Sequence, residues 1–434
     1  MLQSYEKSSA KQRKLILFFP RRSNFANLFA KLQKNFGITN ILCIFATMKK
    51  KICFLIDSIF SFGGVQRVTA VVAKELAKSY DVTIVTFDKP EQKDTTLYGL
   101  EGAEIHYRFF EYPATSQWKN YCCKAYSYLY RKWLPQTRCT SKLYSHSSFP
   151  SEKRNALANE LQLGHFDAII GVHAPLAVRL AACQKQLGDT KLIGWIHNSY
   201  EALFGKKSTY IGAELKKHYE YQLETLDATV VLCQFDAQQY HFPTKVIYNP
   251  LTLVPGERSK GTSKKFLAVG RFSHLHKGYD LLIEAFHIFT ERNKEWTLDI
   301  VGEGPEEPMY RQLIQKYLLE DRITIHPFTN HIQQYYSDAQ IYILSSRWEG
   351  FGLVLVEAMA HGLPVISSDL PTSQEIMGDF GLYFSNGDVS GMARRMEKAT
   401  KIDWQEKSDQ ALQIAARFNI ETIINQWKQL IDER

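Results

Sequence analysis

Apolar positions along this chain gather into short runs separated by amphipathic stretches, and the alternation begins at residue 50. Residues 51–57 (KICFLID) are almost continuously apolar, 61–64 read as a turn, 65–79 carry apolar residues at helical spacing, and 81–87 (DVTIVTF) form a second run. Such short runs predict strands of a parallel sheet whose two faces are both covered by the connecting helices. The pattern loosens after Pro113 and resumes with strands at 167–172, 191–197, 228–233 and 245–248. A second series follows, with strands at 266–269, 296–301, 323–326, 341–344, 364–367 and 382–384 and helices that include 279–291 and 307–319. Between the two series, 251–265 is polar and turn-rich, with Pro255, Gly256 and Gly261, and reads as a linker. The expected class is α/β, with one doubly wound domain over 48–250 and another over 266–415. Residues 416–434, periodic between 420 and 431, predict a helix that braces the first domain. At 434 residues the chain exceeds the ~250–300 at which a single core stops growing, which agrees with two domains. Two such sheets facing one another leave a cleft, and ligands of doubly wound sheets sit outside the carboxyl ends of the strands.

Charge adds a surface to this picture. The formal net charge of +8 is uneven: residues 1–47 hold eight Lys or Arg against the single acid Glu6. This basic N-terminal extension reads either as an attachment arm or as the product of an upstream start, because Met48, Lys49 and Lys50 lead into the first strand like the beginning of a domain. A second basic stretch, 119–154, is interleaved with Trp118, Tyr121, Tyr126, Tyr128, Tyr130 and Trp133. Its leading interpretation is a surface for an anionic membrane, where each Lys or Arg contributes ~1 kcal/mol. A solvated basic face, a nucleic-acid surface and a site for a phosphorylated small ligand are the others. No apolar run approaches the ~20 residues of a spanning helix, and 38–47 is too short. The N-terminus lacks a secretory arrangement. Seven Cys, with Cys122 and Cys123 adjacent, fit no disulfide frame or paired metal-ligand spacing, so free thiols in a reducing cytoplasm are expected.

The residues that can carry chemistry cluster where strands end. Gly63 and Gly64 follow the first strand and let the backbone approach an anion, although such a pair also marks ordinary turns. Gly270, Arg271, Lys277 and Gly278 (GRFSHLHKG) follow the first strand of the second domain. Their two cations suit a diphosphate and the charge that develops as it leaves; a solvated basic loop is the bland alternative. His274 and His276 share this loop but lack a third ligand at any metal-binding spacing. Gly302, Glu303 and Gly304 (GEGP) close another strand and admit a base or phosphate to the backbone. His197 ends an apolar strand facing the cleft, as a structural histidine or as a partner of a sugar hydroxyl.

Residues 345–364, SSRWEGFGLVLVEAMAHGLP, are the most specific. Glu349, Gly350, Phe351 and Gly352 precede an apolar helix from Leu353 to about His361, stopped by Gly362 and Pro364. The glycines expose N–H groups at a positive helix end, which favours a phosphate by ~0.3–1 kcal/mol. Glu357, inside that apolar helix, needs donors that ribose hydroxyls would supply, whereas Glu349 would face a transferred group. Two surface acids with a glycine cap are the alternative.

Together these segments resemble the family 4 glycosyltransferases over residues 49–430, most specifically in Glu349-x7-Glu357 preceded by GRFSHLHKG, GEGP and FGGVQR (62–67). The resemblance implies the GT-B fold, two Rossmann-like domains facing a central cleft, with acceptor binding in the first domain and nucleotide-sugar binding in the second. It implies a retaining enzyme that moves a hexosyl or N-acetylhexosaminyl group from a nucleotide-sugar, with UDP as the expected carrier, to a lipid-linked glycan in capsule, exopolysaccharide or lipopolysaccharide synthesis. The donor is a substrate, and neither a cofactor nor a metal is implied. By the same resemblance Arg271 and Lys277 contact the diphosphate, Glu357 the ribose and Glu349 the donor sugar. Gly63, Gly64 and His197 complete the cleft, and Gly302, Glu303, Gly304, Phe351, Gly352 and Leu353 line the nucleotide-sugar site. The implied location is the cytoplasm, at the inner face of the cell membrane, with no nucleic-acid partner. Two rivals remain at this point: a transferase acting on a soluble glucan or sugar, and a non-enzymatic binder of nucleotide-sugar or nucleic acid.

Overall fold

The structure, a computed structural model, describes residues 49–206, 208, 210–272 and 276–433. The basic extension 1–47, Met48 and His274 lie outside the described residues.

Residues 51–434 form one compact unit built around two parallel sheets. The first contains β1 (Lys51–Ile56), β2 (Asp81–Thr86), β3 (Ile105–Phe109), β4 (Ala168–Val172), β5 (Lys191–Trp195), β6 (Ala228–Val231) and β7 (Lys245–Val246), in the spatial order β3-β2-β1-β4-β5-β6-β7. The second contains β8 (Lys265–Val269), β9 (Thr297–Val301), β10 (Ile323–His326), β11 (Ile341–Leu344), β12 (Val365–Ser368) and β13 (Leu382–Phe384), in the order β10-β9-β8-β11-β12-β13. These are two doubly wound, Rossmann-like domains flanking a cleft, the GT-B architecture. Strand order reverses between β1 and β4 and again between β8 and β11. Those two switch points open crevices at the carboxyl ends of the strands.

Successive side chains of a strand point to opposite faces, and β1 shows why its run is continuously apolar. Ile52, Phe54 and Ile56 join one core with Val68 and Leu76 of the helix Gly64–Ala77. Cys53 and Leu55 join another with Leu176 and Leu180 of the helix Ala174–Leu187. The first of these cores continues across the molecule to Leu267, Leu355 and Val356 of the second domain. The final helix, Ile420–Asp432, lies against the first sheet. Trp427 meets Trp195 edge-on at 4.7 Å, Tyr80 donates a hydrogen bond to Asp432 at 2.9 Å, and Lys191 donates to the Leu430 carbonyl at 2.5 Å.

Two elements depart from the sequence expectation. β3 (IHYRF) was not expected, because an edge strand half open to solvent keeps polar residues and has no continuous apolar run. The aromatic-basic stretch is helical, as Gln117–Lys132, Arg138–Ser148 and Ser151–Leu163. Its helical period is hidden because the first of these helices fully buries only Tyr130. The predicted strand 245–248 shortens to two residues, after which the Ile247 amide still reaches the Val231 carbonyl at 3.1 Å. Among the described residues no disulfide forms, and no helix is long and apolar enough to cross a membrane.

Candidate functional site

β8 runs into the loop of Gly270 and Arg271, and the chain returns through His276 and Lys277 to the helix Tyr279–Thr290. Gly278 makes that return possible. Its φ of +66° is left-handed, and a Cβ there would lie 2.1 Å from the Ser345 carbonyl oxygen. The 276–278 segment is thereby pressed against the loop that follows β11. Arg347 of that loop holds Asp280 through two hydrogen bonds of 2.8 and 2.7 Å, fixing the loop to the first turn of the helix.

Glu349 sits between these two loops, 8% exposed. Lys277 Nζ donates to its Oε1 at 2.5 Å, Ser346 Oγ donates to the same oxygen at 2.6 Å, and His276 Nε2 lies 3.9 Å away. Burial alone would raise this carboxyl, but Lys277, with His276 and Ser346, outweighs it and holds Glu349 below the ordinary carboxylate value. That direction favours the carboxylate form of Glu349 and is opposite to the raised value a general acid uses at neutral pH.

Gly352 caps the helix Leu353–Ala360, and Glu357, one turn further in, is 1% exposed. Its Oε1 accepts a hydrogen bond from Arg67 Nη2, its Oε2 accepts one from Tyr336 at 2.9 Å, and its backbone carbonyl meets His361 Nδ1 at 2.7 Å. The burial of both carboxylates, each beside its own cation, removes the reading of Glu349 and Glu357 as surface acids. A carboxylate offers about four lone-pair positions, so Glu357 retains capacity for further donors.

The first domain meets these loops across the cleft. Arg271 Nη2 donates to the Phe62 carbonyl at 2.7 Å, and the Phe62 ring meets Phe328 edge-on at 4.9 Å. A Cβ on Gly64 would touch Leu353 at 3.5 Å. Gly350 faces His197 so closely that a Cβ would lie 2.2 Å from the His197 carbonyl oxygen, so only glycine permits this backbone approach. Tyr98 pins the glycine turn, accepting from the Gly63 amide at 2.9 Å and donating to the Ser61 carbonyl at 2.8 Å.

His197 itself is buried at 5% exposure, its ring 4.3 Å from that of Trp195, and among the described residues its Nε2 has no hydrogen-bond partner. Burial, then the neighbouring His173, keeps the imidazole neutral far below its usual range. Gly302 and Gly304 press against the Gly270 and Phe272 backbones, and the Glu303 carbonyl accepts from the Phe272 amide at 2.9 Å. The Glu303 side chain is exposed. The Phe351 ring packs on Phe418 at 5.6 Å and Tyr248 at 6.1 Å, inside the core, which leaves its backbone as the part that can meet a ligand.

The structure thus brings Gly63, Gly64, His197, Arg271, Lys277, Glu349, Gly352, Leu353 and Glu357 to the two facing loop systems. Sequence reading singled out neither Tyr336, Ser346 nor Tyr98, and it quoted Arg67 only as the last letter of a motif. Arg67 carries a detectable signal, four residues after Gly63 on the same helix start. Tyr336 and Tyr98 carry none, because they meet partners 21 and 35 residues away. Among the described residues, no three His, Cys, Asp or Glu side chains gather as a metal site.

The neutral imidazoles predict an acid-sensitive fold. Burial lowers His173 and His218 to about 4, and lowers His197 well below its usual value. The unfolded chain therefore binds more protons than the native one between about pH 4 and the unfolded value near 6.5. Their contribution is complete above pH 6.5 and is lost as the pH falls toward 4. Thermal melts should show Tm falling across that window, and His218→Asn should reduce the slope; an equal slope in the variant would refute the assignment.

Several known proteins resemble this chain in sequence or fold. Residues 253–417 match the family model described as "Glycosyl transferases group 1". The chain is 28% identical over 397 residues to an uncharacterized glycosyltransferase of Haemophilus influenzae, covering 88% of this chain and 100% of that protein. It is 24% identical over 400 residues to the amylovoran biosynthesis glycosyltransferase AmsD of Erwinia amylovora, covering 88% and 99%. The crystal structure of Anabaena Alr3699/HepE in complex with UDP superposes with a TM-score of 0.67 at 21% identity, covering 88% of this chain and 99% of that one.

Proposed function

We propose that this chain is a retaining glycosyltransferase of the family 4 type, which moves a hexosyl or N-acetylhexosaminyl group from a UDP-sugar to a lipid-linked glycan during cell-surface polysaccharide synthesis. The observation that carries this reading is the buried Lys277–Glu349 pair at the β8/β11 switch point, beside the glycine-capped start of the helix Leu353–Ala360. A cation, a helix N-terminus and buried carboxyl groups at one crevice suit a substrate with a diphosphate at one end and hydroxyls at the other. The names of AmsD and of the UDP-bound HepE support a UDP-sugar donor and a role in exopolysaccharide assembly.

In this mechanism the donor diphosphate lies between Arg271, Lys277 and the amides at Gly352, with the ribose hydroxyls on Glu357. Departure of the diphosphate concentrates charge on its oxygens, and Lys277 accelerates the reaction only so far as its hydrogen bond strengthens in that transition state. Glu349 orients Lys277 and faces the sugar. The Nε2 of His197, without a partner among the described residues, can bond a sugar hydroxyl. Glu349, held low beside Lys277, does not suit the protonated role of a retaining glycosidase. The leaving phosphate then takes the proton of the incoming hydroxyl on the same face of the sugar, which retains the anomeric configuration.

The direct test is a panel of nucleotide-sugars against lipid-linked and soluble acceptors, read by product mass and linkage. Transfer only to glucan or a free sugar would overturn the lipid-linked assignment, and absence of any transfer or donor hydrolysis would overturn the enzymatic one. The helix Gln117–Lys132 supports peripheral membrane contact through Trp118 and Tyr121, with Trp133 directly after it; both tryptophans are 77% exposed. The full chain should pellet with anionic vesicles in a salt-sensitive manner, and Trp118→Ala/Trp133→Ala should reduce the pelleted fraction severalfold. Pelleting that ignores salt and both substitutions would reject this surface.

A further inference from the structure

The first domain contains a partly open cavity of about 200 Å³ between the helices Gln117–Lys132, Arg138–Ser148, Ala174–Leu187 and Lys216–Leu223. Its walls combine Tyr144, Phe149, Val178 and Leu215, all nearly inaccessible, with the polar Ser145, Ser148 and His218. Two arginines from different helices line it, Arg131, which is exposed, and Arg179, which is half-buried. Arg131 donates to the Tyr144 hydroxyl at 3.2 Å, and Arg179 lies over the Tyr112 ring at 5.5 Å and the Phe149 ring at 5.9 Å. Among the described residues neither forms an ion pair with a carboxylate. Two cations lining one cavity repel one another, and neither is neutralised by a carboxylate ion pair, so the arrangement suits an anion. Each guanidinium presents a planar fork suited to phosphate oxygens.

The position connects the cavity to the cleft. Pro175 and Arg179 lie in the first turns of the helix that follows β4, at the carboxyl end of that strand, and Arg179 acts electrostatically on Asp57, which follows β1. The cavity therefore stands at the β1/β4 switch point, where doubly wound sheets take ligands. Arg131 ends the helix that carries the exposed Trp118 and Tyr121.

We propose that this cavity binds a phosphate or diphosphate group of the acceptor between Arg131 and Arg179, so that the acceptor is anchored by its anion in the first domain while its hydroxyl reaches the donor. The proposal rests on the glycosyltransferase reading of the cleft for its role, but the anion site itself does not depend on it. Phosphate is favoured over carboxylate because a doubly charged group neutralises both guanidinium ions. The phosphate can belong to a prenyl diphosphate or to a water-soluble phosphorylated glycan.

The test is calorimetric titration of inorganic pyrophosphate into the full chain saturated with UDP, so that Arg271 and Lys277 are already occupied. Wild type should bind pyrophosphate, Arg131→Gln/Arg179→Gln should bind it at least tenfold more weakly, and Arg131→Lys should stay within about threefold of wild type while reporting a folded site. Farnesyl diphosphate bound more tightly than pyrophosphate identifies a lipid source, and equal binding a soluble one. No pyrophosphate binding by wild type, or equal binding by wild type and the Gln double variant, overturns the proposal. A wild type that fails to bind UDP yet binds pyrophosphate through these arginines overturns the donor reading and leaves the anion site standing.

Discussion

Lys277→Ala should lower kcat for transfer or donor hydrolysis about 10²–10³-fold, or ~3–4 kcal/mol, the effect of removing one group aimed at charge that develops in a transition state. Two consequences of the substitution act together. The leaving diphosphate loses a cation, and Glu349 keeps its burial but loses the partner 2.5 Å away that holds its carboxyl low. The carboxyl should then titrate upward, so the residual activity of Lys277→Ala should acquire a pH dependence that wild type lacks near neutrality. Lys277→Ala/Glu349→Gln separates the two effects: it should remove the new pH dependence without restoring kcat. Steady-state kinetics between pH 5.5 and 8 read both, and turnover unchanged in Lys277→Ala would sink the proposed phosphate site.

The second large effect concerns Glu357, which is held from both domains. Glu357→Leu leaves Arg67 beside a buried apolar surface, its Nε already without a partner among the described residues, and removes the acceptor of the Tyr336 hydroxyl. Breaking a buried pair costs ~3–5 kcal/mol; about 2–3 kcal/mol is expected here because 29% of the Arg67 side chain stays exposed. UDP affinity should fall at least tenfold, since a hydrogen bond to a charged group contributes ~1.5–3 kcal/mol. Arg67→Met/Glu357→Leu replaces both charges with apolar groups and should recover much of the lost Tm. UDP affinity should not recover with it. Recovery of both would show that Glu357 acts only through Arg67 and would remove its assignment to the ribose.

The contact between Arg67 and Glu357 also marks the limit of what the sequence discloses. Their separation is 290 residues, and no local periodicity reports it. The same holds for Gly350 against His197 and for Arg271 on the Phe62 carbonyl. What was legible is what local physics writes into short windows. Continuous apolar runs announce buried parallel strands, and glycines after strands announce backbone turns. An acid inside an apolar helix announces a need for donors. Hence two wound domains and the loops carrying Glu349, Glu357, Arg271 and Lys277 could be read directly. β3 and the helices of the aromatic-basic stretch were less legible because a half-exposed element satisfies its neighbours with mixed residues.

Chain order by itself thus determined the alternation of strands and helices and the residue types available at each strand end, because these depend on spacings of two to four residues. Only the tertiary structure decided which acid each cation holds, that the Glu349 carboxyl is held low while His197 is neutral, and that two arginines from separate helices share one cavity. Charge state follows burial and distance between groups remote in the chain, and those quantities exist only once the sheets have packed.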